Sequence, residues 1–489
     1  MVVLVSNLDG IKKMKLLLVE DNRSYAETLI EQLLRFDTPI EVVLSESRDS
    51  AVNHLQNQFF DLVVLDLEIP TVDGAFDLEV EHGHEVFYCA RSHAPGTPIY
   101  ILTGSEPDAF LRGLAKQGQS VDLWGDGVLV PTVAYHLKED GDQLIAEIKD
   151  IASRIAITDA VRINIGAQVI ELKAEQKRAI KVFTRSNGGN SCKLKKLGGL
   201  SDAIVLKISV MDQAGRVRCE CVGKLGLASH VNKEIAAYNA EVKHLRLGAF
   251  APVLNFNDQG LRGFAAIFYV LADEHTDTFF QLVTTNPEAA IDAISRVRAA
   301  LARWSDSRVV TSVPIKTIRR LILSDENFEK IIKMHNLGRL LALEGKIIEI
   351  SEACIHGDLH GGNILVNSAC IPVLIDFGDV GAGYTCLDPI TLELSLIFHP
   401  DARANGLAAQ LEPSSENWLD LNIYAKETKL YPIIKYCREW AYDVAPHDES
   451  VLSMACLFVL KQLKYETVPA DILIKILNRI LERLERLEE

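Results

Sequence analysis

The chain lacks several features that mark whole classes of protein. No uninterrupted apolar run is long enough to span a membrane, and the N-terminal stretch MVVLVSNLDGIKKMK lacks the order of a signal peptide. Positive charge is scarce, since 51 Lys and Arg residues stand against 67 Asp and Glu residues and give a net charge of −16. This balance argues against a nucleic-acid-binding surface or an anionic membrane patch. We therefore expect a cytoplasmic protein with neither nucleic acid nor membrane as a partner.

Cysteine is sparse in this chain of 489 residues. The nine cysteines are odd in number and scattered, which favours reduced thiols over a disulfide framework, and no spacing typical of a zinc site occurs. The closest pair, Cys219 and Cys221, would lie on one face of a strand, where core packing is the expected role. The length alone favours two or three domains.

The stretch 354–379, CIHGDLHGGNILVNSACIPVLIDFGD, contains more candidate catalytic residues than any other part of the sequence. Apolar runs at 353–355 and 371–375 predict short buried strands, and each is followed by an acid, Asp358 or Asp376. Asn363 lies between them. Phosphoryl transfer needs a carboxylate that orients or deprotonates the acceptor hydroxyl, and oxygen ligands that hold Mg²⁺ on the ATP phosphates. The stretch can supply all three groups.

The order His356-x-Asp358-Leu359-x-x-x-Asn363, followed by Asp376-Phe377-Gly378, is similar to the catalytic and metal loops of kinases. The His-Gly-Asp form, with Gly361 and Gly362 before the asparagine, resembles the aminoglycoside phosphotransferase and choline kinase branch of the protein-kinase-like superfamily. The resemblance implies a bilobal α+β domain that uses ATP and Mg²⁺, with Asp358 as base and Asn363 and Asp376 as metal ligands.

Further along, Leu387-Asp388-Pro389 resembles the aspartate position that closes the helical lobe in this superfamily. A helix cap is an equally good interpretation of Asp388.

The N-terminal part of the chain alternates predicted strands with predicted helices. Strands are predicted at 15–19, 41–44, 61–65, 98–102 and 133–137, and helices at 25–34, 50–57 and 143–155. This alternation predicts a doubly wound, five-stranded parallel sheet whose strands all end at one edge. The side chains gathered at that edge are Glu20, Asp21, Asp66, Thr103 and Lys138. Three carboxylates there favour a divalent cation, while the lysine and the hydroxyl can hold phosphoryl oxygens.

The segment from 14 to about 155 resembles the receiver domain of two-component response regulators, a flavodoxin-like fold. The resemblance implies Mg²⁺ as cofactor and a sensor histidine kinase as phosphodonor. It also implies one role for each residue of the edge: Asp66 as phospho-acceptor, Glu20 and Asp21 as the acidic pair, Thr103 as switch hydroxyl, Tyr135 as aromatic switch and Lys138 as reporter of the phosphate.

Two features depart from the receiver pattern. Glu139 replaces the proline that usually follows the lysine, and the segments 76–96 and 117–131 are longer than the family norm. The first departure loosens the lysine turn, and the second enlarges the loops around the face through which receivers dimerise or signal. No DNA-binding module follows.

A glycine turn at 198–202 follows a turn-rich break. It contains Gly198, Gly199 and Ser201, and it resembles the phosphate-binding glycine turn of aminoglycoside phosphotransferases. Lys224, on the third strand after the break, is expected to anchor the ATP phosphates through a pair with the helix residue Glu234. Lys207, on the second strand, is the alternative anchor.

The residues 269–273 resemble the hinge by which kinases bind adenine, which assigns Tyr269 and Leu271 to the nucleotide site. Near the C-terminus a helix shows a heptad-like seam, for which packing on the lobe is one interpretation and a helical dimer contact the other. The seam consists of Leu473, Leu477, Ile480, Leu484 and Leu487. A homodimer through the receiver is a further expectation.

The expected fold is therefore α/β, with a receiver followed by a kinase-like domain and a helical C-terminal extension. The predicted domains are a receiver at 1–155, a linker at 156–190, a kinase-like N-lobe at 191–273, a C-lobe with the catalytic loop at 274–400 and its helical C-terminal part at 401–489. The sequence favours a phosphotransferase controlled by phosphorylation of Asp66, acting on a small molecule or a protein. A nucleotide-binding pseudokinase that serves as a signalling scaffold is the alternative.

Overall fold

A computed structural model describes residues 3–5, 14–35, 38–104, 113, 118–166, 169–197, 203–270, 277–465 and 468–487. The chain divides into two compact units. The first comprises Met1–Asn232 and Val253–Val270, and the second comprises Lys233–Pro252 and Leu271–Glu489.

The first unit begins with a sheet whose central strands are buried on both faces. Its strands are β1 Val3–Val5, β2 Met14–Val19, β3 Ile40–Ser45, β4 Leu62–Asp66, β5 Ile99–Thr103 and β8 Val133–Leu137, and a small hairpin, β6 Ser120–Val121 with β7 Val130–Pro131, precedes the last of them. The spatial order is β1-β3-β2-β4-β5-β8, and all neighbours are parallel except β1 and β3. Uninterrupted apolar runs of this kind are typical of parallel strands covered on both faces. The predicted five-stranded parallel sheet is confirmed, and β1 extends it by one antiparallel strand.

Helices cover both faces of this sheet. They are Arg23–Leu33, Arg48–Asn57, Val80–His93 and Gly141–Asp159. The first two begin at N-cap residues, Asn22 and Ser47, whose side chains accept hydrogen bonds from backbone amides in the first turn. Both caps follow strand ends directly, so the chain turns back onto the sheet with few loop residues.

The helix Val80–His93 lies in the segment that we interpreted as an enlarged loop. It buries Val86 and Phe87 against the sheet. A Cβ atom on Gly83 would lie 2.3 Å from the Cα of Leu67, so only glycine allows the helix to approach the end of β4 this closely. Glycine weakens helix propensity, which explains why the sequence pattern did not predict a helix here.

A second sheet of the first unit is mostly antiparallel. Its strands are β9 Arg162–Asn164, β10 Ser191–Lys196, β11 Ile204–Met211, β12 Val217–Leu227, β13 Val253–Asn257 and β14 Phe264–Tyr269. The order is β13-β14-β12-β11-β10-β9, and β9 and β10 form the parallel pair. The helix Ala174–Ser186 packs on one face of this sheet, where the rings of Phe183 and Phe268 stack with centroids 3.9 Å apart.

The two sheets of this unit are joined through the helix Ala174–Ser186. Nη2 of Arg178 lies 2.7 Å from Oδ1 of Asp61, and both residues are buried, at 4% and 7% exposure. Arg185 donates hydrogen bonds to the Trp124 carbonyl and the Thr158 hydroxyl. The segment 156–190, interpreted as a linker, therefore contributes a strand and a helix to packed structure, while the domain boundaries themselves stay a prediction.

The second unit is mainly helical. Its strands form two three-stranded sheets, β15-β18-β19 and β16-β17-β20, from β15 Asp277–Thr278, β16 Val309–Pro314, β17 Ile347–Ile355, β18 Ile364–Val366, β19 Pro372–Leu374 and β20 Gly381–Tyr384. Its helices are Phe279–Thr285, Pro287–Ser305, Ile315–Ile322, Asp325–His335, Leu340–Leu343, Leu387–Phe398, Pro400–Ala404, Ala408–Leu411, Leu421–Tyr424, Tyr431–Val444, Asp448–Gln462 and Ala470–Arg486. The helix Ala228–Ala240 connects to this unit from β12.

The helix Leu387–Phe398 is the centre of the second unit, because all its residues are buried. A helix with mostly apolar residues on all sides is expected in such a position, and its few polar residues need buried partners. Its one buried acid in the middle, Glu393, is paired with Arg438 at 2.9 Å and accepts a hydrogen bond from Trp418. The helix therefore gives the catalytic segments that lie beside it a fixed support.

The C-terminal helix Ala470–Arg486 packs within the second unit. Four residues of the predicted seam are buried there: Leu473, Leu477, Ile480 and Leu484. The seam therefore packs on other residues of the second unit, as the first of the two interpretations expected. A dimer through the receiver stays a prediction. In the described part of the chain, no helix is both long and apolar enough to cross a membrane.

Candidate active site and phosphorylation site

The catalytic loop begins where β17 ends, at Ile355. The carboxylate of Asp388 accepts hydrogen bonds from the backbone amides of His356, at 2.8 Å, and Gly357, at 2.9 Å. Asp388 lies in the first turn of the buried helix Leu387–Phe398, but its side chain is bonded to the loop and does not cap that helix. The sequence allows two interpretations of Asp388, a helix cap and the aspartate that closes the helical lobe. The hydrogen bonds to the loop favour the second interpretation.

Asn363 ties the two catalytic segments together. Its Nδ2 donates to the carbonyl of Asp358 at 2.9 Å, and its own carbonyl accepts from the amide of Ile375 at 3.1 Å. The buried ring of His356 donates from Nε2 to the Ile375 carbonyl at 3.1 Å. The residues before Asp376 are thereby fixed to the loop that carries Asp358.

The acidic turn at 376–378 has a strained start. Asp376 has a φ of +62°, in the left-handed region that residues other than glycine rarely adopt. Phe377 is buried against His356 and Tyr238. A Cβ atom on Gly378 would lie 3.7 Å from Oδ1 of Asp376 and 4.0 Å from Oε2 of Glu234. The structure therefore brings Glu234 beside this turn, at 1% exposure.

Asp358 is half-buried, and burial raises the pKa of its carboxyl, against an opposing effect of the positive charge of Lys461. A raised pKa suits a group that must take up a proton. Oδ2 of Asp358 lies 3.6 Å from Nε2 of His360. We did not single out His360 or Lys461 from the sequence: His360 lies inside the motif, whereas Lys461 lies on a helix near the C-terminus and carried no signal.

The two candidate phosphate anchors lie on one face of the second sheet. Lys224 is opposite Val205, and Lys207 is opposite Val222, two residues before Lys224. Lys207 forms an ion pair with Glu220 at 3.1 Å, toward the hairpin tip. The choice of Lys224 over Lys207 as anchor stays a prediction. Lys224 belongs to the first unit and Glu234 to the second, so their pairing stays a prediction.

Tyr269, of the predicted hinge, is buried at the end of β14. The predicted nucleotide-site residues Gly198, Gly199, Ser201 and Leu271 lie outside the described residues.

In the first unit, Glu20, Asp21 and Asp66 meet at the carboxyl ends of β2 and β4. One carboxylate oxygen from each lies within 4.8 Å of the others. Nζ of Lys138 is 2.7 Å from Oδ2 of Asp66 and 2.9 Å from Oε2 of Glu20. The edge of the sheet therefore brings together the residues that the topology predicted.

Burial dominates the electrostatics of this acidic cluster. It raises the pKa of Glu20 to about 7, with a further contribution from the negative charge of Asp66. Burial also raises the pKa of Asp66, although the Lys138 ammonium opposes this effect. Oε2 of Glu20 is buried without a hydrogen-bond partner, because the short approach of Lys138 lacks hydrogen-bond geometry. Clustered carboxylates with an unsatisfied oxygen fit a divalent cation.

The two predicted switch residues lie on neighbouring strands. Thr103 ends β5, is buried and lies opposite Leu137. Tyr135 is on the edge strand β8 and is 41% exposed. A contact that the sequence did not predict involves Tyr25, whose ring centroid lies 5.3 Å from Nζ of Lys138.

Comparisons with known proteins find similarities for two parts of the chain. Residues 289–418 match the model of the "Phosphotransferase enzyme family". A thermostable mutant of aminoglycoside phosphotransferase APH(4)-Ia, solved with AMP-PNP and hygromycin B, is 13% identical over 60% of this chain and 92% of its own, with a TM-score of 0.35. Amicoumacin kinase hAmiN, solved with AMP-PNP, Ca²⁺ and Ami, is 13% identical over 60% of this chain and 88% of its own, with a TM-score of 0.31.

The N-terminal part is similar to a CheY-like response regulator receiver domain protein from Methanospirillum hungatei JF-1. The identity is 17% over 29% of this chain and 99% of that one, with a TM-score of 0.22. No curated protein matches the chain. The predicted fold class, a receiver with a kinase-like α+β domain and a helical C-terminal region, is confirmed. The chain thus contains a five-stranded parallel sheet in its N-terminal part, and residues 289–418 are similar to the phosphotransferase family model.

Proposed function

We propose that this protein is an ATP- and Mg²⁺-dependent phosphotransferase whose activity is controlled by phosphorylation of its receiver at Asp66. One observation carries the proposal: Asp358, Asn363 and the turn at Asp376 are held together by shared hydrogen bonds, on a loop that Asp388 fixes. Positioning and electrostatics supply most of the catalysis in phosphoryl transfer, so a rigid set of oxygen ligands is the relevant feature.

In this proposal Asp358 orients the acceptor hydroxyl and takes its proton. The nitrogen of the Asn363 side chain donates to the Asp358 carbonyl, which leaves Oδ1 as the atom that can face a metal ion. Asn363 and Asp376 would hold Mg²⁺, which when bound neutralises charge on the ATP phosphates. Lys224, paired with Glu234, would hold the α and β phosphates, and the backbone near Tyr269 and Leu271 would bind adenine.

The glycine turn with Gly198, Gly199 and Ser201 would approach the phosphates in the same proposal. We also propose the domain boundaries given above. The acceptor is a small molecule or a protein.

At the receiver, Asp66 would accept a phosphoryl group from a sensor histidine kinase, with Mg²⁺ held by Glu20, Asp21 and Asp66. Lys138 and Thr103 would bind the phosphoryl oxygens, and Tyr135 would respond to the shift of Thr103. A histidine kinase donor and the use of ATP place the protein in the cytoplasm.

Contacts within the first unit support control of the kinase-like part by the receiver. Arg185 bonds to Trp124 and Thr158 on the receiver side, and the same helix stacks Phe183 on Phe268. Phe268 lies opposite Gly223, the neighbour of Lys224. A conformational change of the receiver can therefore reach β12, the strand of Lys224, through packed side chains. Such coupling requires that the two receiver states differ in the free energy of their contacts with the helix Ala174–Ser186.

The test is incubation of the full chain with γ-labelled ATP and Mg²⁺. Label that moves to an acceptor in a lysate, or to the protein itself, supports a phosphotransferase. Tight nucleotide binding with no release or transfer of label overturns the proposal and leaves the pseudokinase scaffold.

A further inference from the structure

Three aromatic rings form a column beside the catalytic loop. The rings of Phe280 and His399 are stacked with centroids 5.0 Å apart, and the rings of His399 and His360 follow at 4.4 Å. Phe280 belongs to the buried side of the helix Phe279–Thr285, and His399 precedes the helix Pro400–Ala404. The helix Phe279–Thr285 and the residue before the helix Pro400–Ala404, both outside the catalytic loop, thus pack against the ring of His360 through this stack. We call these three residues the ring column.

The hydrogen bonds of His360 define its tautomer. Nδ1 accepts a hydrogen bond from the amide of Gly362 at 3.1 Å, so the proton of the neutral ring is on Nε2. Nε2 is the atom that lies 3.6 Å from Oδ2 of Asp358. This distance exceeds that of a hydrogen bond, and such contacts commonly shorten when substrates bind.

The backbone at Gly361 and Gly362 lies so close to the rings of Phe280 and His360 that it restricts the position of the His360 ring. A Cβ atom on Gly362 would lie 3.0 Å from Nδ1 and Cε1 of His360, and a Cβ atom on Gly361 would lie 2.6 Å from the ring of Phe280. His399 is fixed as well, because its Nδ1 accepts from the amide of Asp401 at 3.2 Å. The two glycines therefore allow the close packing of the ring column.

The hydrogen bond from the Gly362 amide to Nδ1 leaves an N–H group on Nε2, which faces Asp358. Burial lowers the pKa of His360 to about 4, and it lowers the pKa of His399 to about 4 as well. The contact of His360 with Asp358 is thus that of an N–H dipole with a carboxylate. Such a group can orient the carboxylate without the full charge of a cation, which would lower its basicity more strongly.

We propose that His360 is a positioning residue that holds the carboxylate of Asp358, through its Nε2–H, in the orientation that meets the acceptor hydroxyl. This inference rests on the proposed phosphotransferase function. The competing explanation is purely structural: His360 only accepts the Gly362 amide and thereby shapes the loop.

Two substitutions separate these explanations. His360→Gln keeps a donor near the position of Nε2, whereas His360→Asn keeps an acceptor near the position of Nδ1 but is too short to reach Asp358. Positioning predicts that His360→Asn lowers kcat by about tenfold to a hundredfold, since small displacements of a catalytic group have effects of this size. It also predicts that His360→Gln retains most of kcat and that KM for ATP is unchanged in both variants.

The matched control is His447→Asn, because His447 is exposed and pairs with Glu349 away from the catalytic loop. Activity in the control should equal that of the wild type. Thermal melting and ATP binding of each variant check that it folds. A kcat that is preserved in His360→Asn and lost in His360→Gln, or equal in both variants, overturns the positioning role. Inactivity of the wild-type protein would instead count against the proposed function itself.

Discussion

The receiver edge and the catalytic loop both present carboxylates for phosphoryl chemistry, but each surrounds its key aspartate differently. Asp66 is in contact with the Lys138 ammonium at 2.7 Å. Asp358 faces the imidazole of His360, whose lowered pKa keeps it neutral. A phospho-acceptor gains negative charge in the reaction, so a cation beside it stabilises the product, whereas a base needs to keep its affinity for a proton. The surroundings therefore fit the roles that we propose, Asp66 as phospho-acceptor and Asp358 as base.

The two sites also differ in how they are built. At the receiver edge, parallel strands end side by side, so sheet topology alone gathers the acids. In the catalytic loop, buried side chains hold irregular backbone, above all Asp388 and Asn363. Substitutions should therefore affect the two sites independently unless the sites are coupled.

The largest expected effect comes from Asp358→Ala. We expect loss of phosphoryl transfer by about a hundredfold to ten-thousandfold, with ATP affinity largely intact, because the base orients the acceptor and does not hold the nucleotide. Turnover and nucleotide binding are measured side by side, with Asp443→Ala, an exposed aspartate paired with Arg298, as control. Full turnover in the variant would show that Asp358 is not the base, and the difference proposed between Asp358 and Asp66 would then be wrong.

Next in size is Asp376→Asn, which should weaken Mg²⁺-dependent ATP binding as well as turnover. The substitution removes the charge of a proposed metal ligand, so affinity should fall by about tenfold or more with Mg²⁺ and little without it. Titrations of ATP in both conditions provide the measurement. Equal affinities for wild type and variant under both conditions would exclude Asp376 from the metal site.

A smaller effect is expected from the coupling of the two sites. Beryllofluoride at Asp66 should change turnover or oligomeric state by about fivefold to a hundredfold, the usual range of coupling between sites, and Asp66→Asn should abolish the response. Turnover and light-scattering mass are compared with and without the mimic in both proteins. Identical results in all four samples would leave the receiver as a tether or a phosphate sink.

The smallest effect concerns pH and the acidic cluster of the receiver. Because the pKa of Glu20 is raised to about 7, the proton competes with Mg²⁺ below that pH. Mg²⁺ affinity, measured calorimetrically without nucleotide, should fall by up to about tenfold per pH unit below 7 and level off above it. Glu20→Gln should weaken binding and flatten this dependence. A steep dependence that persists in the variant would assign it to another group.

Sequence reasoning succeeded where one pattern determines one structure. The apolar runs before Asp66 and Thr103 are short and alternate with predicted helices, which favours buried strands, and the spacing from Asp358 to Asn363 indicates a loop. It missed the helix Val80–His93, where Gly83 obscures the helical pattern, and it did not reveal how the helix Ala174–Ser186, in the segment interpreted as a linker, packs. Long-range effects such as that of the Lys461 charge on the pKa of Asp358 depend on tertiary packing and leave no local pattern.

The buried pair of Arg178 and Asp61 limits how this protein can be dissected. Asp61 lies just before β4, whereas Asp66 lies at its other end, so the ion pair is remote from the proposed phosphorylation site. A receiver fragment that ends near residue 155 would lose the helix Ala174–Ser186, and with it the buried ion pair of Asp61 with Arg178. A kinase-like fragment that begins at Ser191 would lose Phe183 and uncover Phe268. A cut within 156–190 would therefore disrupt packing on both sides of the cut, so this segment is part of the packed structure.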